Sequence, residues 1–156
     1  MQSLPKNVKG VWYLSELFSG IIIFAILFGL TWALPLFTTW TIPAWGLSVL
    51  YVLAAVAVIF GFVMVHYRYA VYRYQVNDTD VEIKRGFFFR RLTAIPIDRV
   101  QNVDLDQGPF LKLFSLQQVV LVTGGGHHAV EALTEEDAIA FKNQVMTLAK
   151  EARHEA

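Results

Sequence analysis

Four groups of residues in this chain could do chemistry. The first is Lys84-Arg85-Gly86-Phe87-Phe88-Phe89-Arg90-Arg91, in which four bases flank three phenylalanines at a glycine break. Bases attract lipid phosphates, each contributing roughly 1 kcal/mol near an anionic leaflet, and phenylalanines can enter an apolar interface. The same residues also read as a strand edge whose alternate phenylalanines are core. The second group is Arg99, Gln101 and Val103, alternating on one strand with Asp98 beside them. It reads as a possible interaction strand, or as an arginine paired with a carboxylate and a glutamine that satisfies backbone groups. The third is Asp104 and Asp106, two carboxylates on one strand face; a hard cation would need more ligands, and no EF-hand loop accompanies them. The fourth is Gly124-Gly125-Gly126-His127-His128. It lacks the Lys-Ser/Thr of a phosphate-binding loop, and adjacent histidines on a strand point to opposite faces, so a hairpin turn is the better reading. None of these groups brings an acid, a base and a nucleophile together, and with no cysteine there is no thiol chemistry. The chain is expected to be non-enzymatic, with no metal and no cofactor.

The elements that must position these groups fall into two halves. From Leu17 to Tyr67 there is no Asp, Glu, Lys or Arg. The loops of a soluble domain must face water, so an uncharged run of this length reads instead as a transmembrane hairpin. The two spans are expected at about 17–37 and 44–65, each near the ~20 apolar residues that cross a bilayer core. The uncharged turn Thr38–Pro43 joins them, with Trp40 and Trp45 as interfacial aromatics. Ala25, Gly29 and Ala33 on the first span, and Ala54, Ala57 and Gly61 on the second, form rows of small residues that would let a helix approach closely. The other span is the nearest candidate partner, and a second chain would serve equally well. Neither span carries an ionisable residue in its middle, which argues against a pump or carrier.

Lys6 and Lys9 precede the first span, Arg68 and Arg73 follow the second, and the turn has no base. The positive-inside rule then puts both termini in the cytoplasm. Residues 1–16 read as a short cytoplasmic lead-in and residues 68–156 as one small cytoplasmic domain. The composition agrees: of 156 residues 55% are apolar, the mean hydropathy is +0.45, and the excess sits in the first half. The formal net charge of +0 hides a split. Bases outnumber acids from Arg68 to Arg99, and acids outnumber bases beyond. The basic part is nearest the membrane in sequence, which suits an anionic leaflet.

After Ala70 the apolar period becomes two. Tyr72, Tyr74 and Val76 alternate with polar residues, Asn77–Asp80 is a turn, and Val81–Lys84 alternates again, together a hairpin. Further strands are expected at Leu92–Ile97, Arg99–Leu105, Gln118–Thr123 and His128–Leu133, with a short connector at Phe110–Leu116. Thr134 is a good N-cap, followed by Glu135, Glu136 and Asp137 in the first turn of a helix. Ala138, Phe141, Val145, Leu148 and Ala152 line its apolar face. The fold class is α+β: a membrane hairpin, then a β-barrel or sandwich capped by a C-terminal amphipathic helix.

Specific residues carry a family resemblance. Tyr72-Arg73-Tyr74-Gln75-Val76, Glu82-Ile83-Lys84-Arg85-Gly86 and Ile95-Pro96-Ile97-Asp98-Arg99-Val100-Gln101-Asn102-Val103 do so, as do Gln107-Gly108-Pro109, Leu113-Phe114-Ser115-Leu116 and Thr123-Gly124-Gly125. The chain resembles the bacterial pleckstrin-homology-like, YdbS-like family of membrane-flanked domains, over nearly its whole length. Ser115 stands where such sequences often carry glycine. The resemblance implies a pleckstrin-homology-like domain on a hairpin in the bacterial cytoplasmic membrane. It further implies a scaffold or subunit of a membrane assembly, in a family some of whose members are linked to tolerance of membrane-active antimicrobials. The expected partners are membrane lipids and a second membrane protein or further copies of the chain, and not nucleic acid. A lipid-binding module using the turn at Gly86 is the alternative.

Overall fold

A computed structural model describes residues 1–37, 43–86 and 89–154. Two helices, α1 (Val8–Phe37) and α2 (Ala44–Val71), are long and apolar enough to cross a membrane. They are followed by β1 (Arg73–Val76), β2 (Asp80–Arg85), β3 (Arg91–Pro96), a single 3-10 turn (Ile97–Arg99), β4 (Val100–Asp106), a short helix α3 (Pro109–Leu113), β5 (Leu116–Thr123), β6 (Gly126–Thr134) and α4 (Glu135–His154). The chain divides into two units, a helical hairpin of residues 12–66 and a globular unit of residues 1–11 and 67–156.

In the hairpin unit the helices run antiparallel. Tyr13 stacks on Phe62 at 5.8 Å between ring centroids, and Phe24 stacks on Tyr51 at 6.1 Å. Between these ring pairs, Gly20 lies against Val58: a methyl on its α-carbon would meet the valine side chain at 3.2 Å. The contact stripe on α1 is therefore Tyr13, Gly20 and Phe24, at helical spacing. The expected packing row runs beside this stripe at one end. Gly29 has nothing within 4 Å of where a β-carbon would lie, and Ala25 is exposed, because these two positions fall to the side of the stripe that the aromatic pairs select. Ala33 is half-buried. On α2, Gly61 packs close to the Glu16 carboxylate of α1, Ala54 is half-buried, and Ala57 is exposed. The turn expected at Thr38–Pro43, with Trp40, lies outside the described residues except for Pro43.

The globular unit has two three-stranded antiparallel sheets, in the orders β1-β2-β3 and β4-β5-β6. The 3-10 turn links them, and α4 packs on that turn and on β4, β5 and β6. The alternation read from sequence sets the inward face. Tyr72, Tyr74, Val81, Ile83 and Ile95 are buried from the first sheet, and Val103, Val119, Leu121 and Val130 from the second. Ala138, Phe141, Val145 and Ala149 close the core from α4, and Tyr74 meets Phe141 edge-on at 6.0 Å. Ala149 takes the place expected for Leu148, which is half-buried. Thr134 caps α4: its Oγ1 accepts from the Asp137 N–H at 3.2 Å and donates to the Asp137 carboxylate at 2.7 Å.

Both helices run beyond the expected spans. Helix α1 begins at Val8 rather than near Leu17, and residues 1–11 are part of the globular unit. Leu4, Val8 and Val11 are buried at i, i+4, i+7 spacing, Gln2 bridges Tyr74 with two backbone hydrogen bonds of 2.7 and 3.1 Å, and Lys9 lies 4.3 Å from the Tyr69 ring. Lys9 does not interrupt the helix, because its charge lies over the Tyr69 ring, and Lys6 is exposed just before the first helical residue. Helix α2 continues to Val71, past the expected end of the span. The Tyr72 N–H still donates to the Arg68 carbonyl at 3.0 Å, so β1 starts only at Arg73.

Ser115, where the family pattern often has glycine, adopts φ +53°, the left-handed conformation. A glycine there has no β-carbon to clash, which is the physical sense of the family preference.

Candidate functional site

Two basic surfaces of the globular unit contain the residues singled out from sequence, and they lie at opposite ends of the first sheet. At one end is the β2–β3 turn. The register pairs Arg73 with Lys84 and Arg85 with Arg91. Like charges set directly opposite on a sheet cost stability, so this end carries a concentration of positive charge that the fold itself does not reward. The turn depends on Gly86. Its φ of +108° is outside the range of L side chains, and a β-carbon there would collide with the Phe89 carbonyl oxygen. Beyond the glycine, Phe89 is 91% exposed and Arg90 and Arg91 are exposed. Lys84 and Arg85 are half-buried. Phe87 and Phe88 lie outside the described residues.

The turn is level with the start of β1, because Lys84 pairs with Arg73. That start is firmly held. Tyr72 is 2% exposed, its hydroxyl accepts from the Glu131 N–H at 3.0 Å and sits 3.5 Å from the Ala129 carbonyl. Arg68 pairs with Glu131 at 2.5 Å, and the Tyr69 hydroxyl donates to the Leu4 carbonyl at 2.9 Å. Burial pushes the Tyr72 phenol up to about 12, with the Glu131 backbone hydrogen bond and the nearby arginines opposing the rise. Tyr74 is raised too, by burial and then by Asp137.

At the other end of β3 is a cleft of about 510 Å³. Its walls are Ala94, Ile95 and Pro96 at the end of β3, Asp98 and Arg99 of the 3-10 turn, Val100 and Gln101 of β4, Thr123, Gly124 and Gly125 at the β5–β6 turn, His128, and Arg153 of α4. Arg153 is fixed by two hydrogen bonds of 3.2 Å, from Nε to the Ala149 carbonyl and from Nη2 to the Val100 carbonyl. Arg99 and Gln101 are exposed. Among the described residues no carboxylate lies within ion-pairing distance of Arg99 or Arg153, so the expected pairing of Arg99 is not made. The fold thus brings Arg99 and Gln101 together with the glycine loop and His128, which lie far apart along the chain. Arg153 was missed as a site residue, since a base near the end of an amphipathic helix reads as an ordinary dipole partner.

His127 and His128 face opposite sides of β6, opposite Val122 and Leu121. Asp104 and Asp106 are exposed on β4, and Asp104 accepts from the Asn102 side chain at 2.6 Å. Among the described residues no three His, Asp or Glu side chains converge.

The comparisons with known proteins agree with this architecture. The family model described as Bacterial PH domain matches residues 17–149. The chain belongs to the bacterial PH domain family. It is 30% identical over 152 residues to the transmembrane protein YdbS of Bacillus subtilis (strain 168), covering 96% of this chain and 92% of that protein. No solved structure matches. The match spans both the helical hairpin and the two-sheet unit, so the membrane helices and the PH-like domain are features of one family and the chain is a YdbS-like membrane protein.

Proposed function

We propose that this chain is a non-enzymatic scaffold or subunit of a bacterial cytoplasmic-membrane assembly, with both termini in the cytoplasm. It works by contact with a membrane-protein partner or with further copies of itself, in envelope stress or antimicrobial tolerance. The observation that carries this reading is the β2–β3 turn. An aromatic ring exposed over nine-tenths of its surface, beside two exposed arginines and on a sheet end already crowded with positive charge, is a surface built to be covered. Exposed Leu92 extends it with apolar area, and β3 is an edge strand of its sheet among the described residues.

The alternative is a lipid-binding module, and the same turn supports it. The turn is level with Tyr72, where α2 hands over to β1, so it lies at the end of the first sheet that the apolar helix enters. Anionic headgroups would relieve the repulsion between paired bases, and Phe89 would enter the interface.

Purification of the full chain from native membranes in mild detergent, with mass spectrometry of proteins and lipids together, tests both readings. A second membrane protein at fixed stoichiometry, or a discrete oligomer of this chain, is the expected result. A monomer that retains an anionic lipid, and loses it on Arg90→Gln/Arg91→Gln, makes the chain a lipid-binding module instead. A monomer with neither would overturn both.

A further inference from the structure

We infer that the cleft at the far end of β3 is a binding site for a phosphate group carried on a small soluble molecule, with Arg99 as its principal ligand and Arg153 as a fixed second donor. Four observations lead there. The cleft volume of about 510 Å³ is in the range of small-molecule sites, roughly 300–1,000 Å³. Two arginines line it, neither with a carboxylate partner among the described residues, and a guanidinium presents a fork of donors that matches phosphate oxygens. Arg153 is held by the Ala149 and Val100 carbonyls, so part of its ordering cost is met before any ligand arrives. Gln101 adds an amide beside Gly124, where the absence of a side chain keeps that wall low.

The phosphate could come from a soluble ester or from a phospholipid headgroup, and geometry decides between them. The turn at Gly86 and the cleft lie at opposite ends of β3. Its six residues from Arg91 to Pro96 separate them by about 16 Å at ~3.3 Å per step. If the turn meets the leaflet, as the lipid-contact reading holds, the cleft is a separate surface that far along the strand from the contact. A headgroup held at the turn then does not fill the cleft, and a dissolved ligand can. Only this choice of source rests on the lipid-contact reading; the two cleft arginines do not depend on it. Asp98 on the same rim would repel a bare polyanion and favour an ester that also carries a positive group, such as an amine.

The test uses the full chain in uncharged detergent and in nanodiscs. Inorganic phosphate and phosphoethanolamine are titrated at constant ionic strength and followed by calorimetry, with chloride as the reference anion. Saturable binding is expected for both, tighter for phosphoethanolamine, and about tenfold or more weaker in Arg99→Gln. Arg99 is exposed and has no ion-pair partner among the described residues, so that variant should keep its melting temperature, and Gln101→Ala should weaken binding by a smaller factor. Arg90→Gln/Arg91→Gln should leave binding unchanged, which separates failure of the cleft from failure of the turn. Equal affinity in wild type and Arg99→Gln, or no saturable binding to either probe, would overturn the site. Binding seen only in nanodiscs containing phosphatidate, with neither soluble probe active, would overturn the soluble source.

Discussion

The turn at Gly86 and the cleft at Arg99 are both basic, both attached to β3, and opposite in shape. The turn side is open: Phe89, Arg90 and Arg91 are exposed and nothing among the described residues encloses them. The cleft is concave: Arg99 and Arg153 stand on different elements and face a common space. The same side-chain chemistry therefore serves different targets. An open set can touch only something broad, such as a leaflet or a protein face, and each base contributes separately. A concave set surrounds one group, so its members act together and loss of either is felt by the same ligand.

The sharpest way to break this comparison is Gly86→Ala. The residue must adopt a backbone conformation closed to alanine and push the Phe89 carbonyl aside, at a cost of about 2–3 kcal/mol. Thermal denaturation should show that loss, and anionic-nanodisc association should weaken, while phosphate binding at the cleft persists. Equal damage to both sites would mean that they are not independent.

Next in size is the anchor both sites share. Tyr72 donates no charge to either, yet it ties the start of β1 to β6. Tyr72→Phe leaves the Glu131 N–H without its partner and should cost about 1–3 kcal/mol. Its pH dependence has a definite sign. The folded phenol titrates at about 12 against 10.0 for the free group, so the proton is bound more tightly when folded. The resulting stability, on the order of 2–3 kcal/mol, is complete below pH 10 and is lost as pH rises through about 12. Denaturant midpoints from pH 9 to 12 should fall in the wild type and flatten in Tyr72→Phe.

The smallest effect concerns neither site. Ser115→Gly removes a β-carbon from a left-handed residue and should stabilise by about 0.5–1 kcal/mol, the strain relief slightly exceeding the entropy cost. Turn and cleft should both be untouched. A loss of stability would show that the serine compensates in some other way.

Much of this arrangement can be read from residue order, and the reasons for the rest are specific. Strands with two-residue periodicity and α4 with its Thr134 cap announce themselves locally, since each signal lies within one element. The turn was legible for the same reason: its bases and its glycine are adjacent in sequence. The cleft was only half legible, through Arg99 and Gln101, because Gly124 and Arg153 reach it from elements far along the chain. The burial of Leu4, Val8 and Val11 did have a helical spacing, but lysines 6 and 9 drew it into a topology signal. The rotation of α1 was set by ring pairs across the hairpin, Tyr13 with Phe62 and Phe24 with Tyr51, which no single-helix pattern of small residues reveals.

The pairing of Gln2 with Tyr74 has a consequence for biogenesis. Residues 2–7 leave the ribosome before either apolar helix, and the strand that receives Gln2 leaves after both. The early segment must therefore wait, with Leu4 and Val8 uncovered, until the whole hairpin has been made. Completion of the globular unit thus requires that both helices have been made, so a chain stalled midway would leave Leu4 and Val8 uncovered, the kind of exposed apolar surface that holdases recognise.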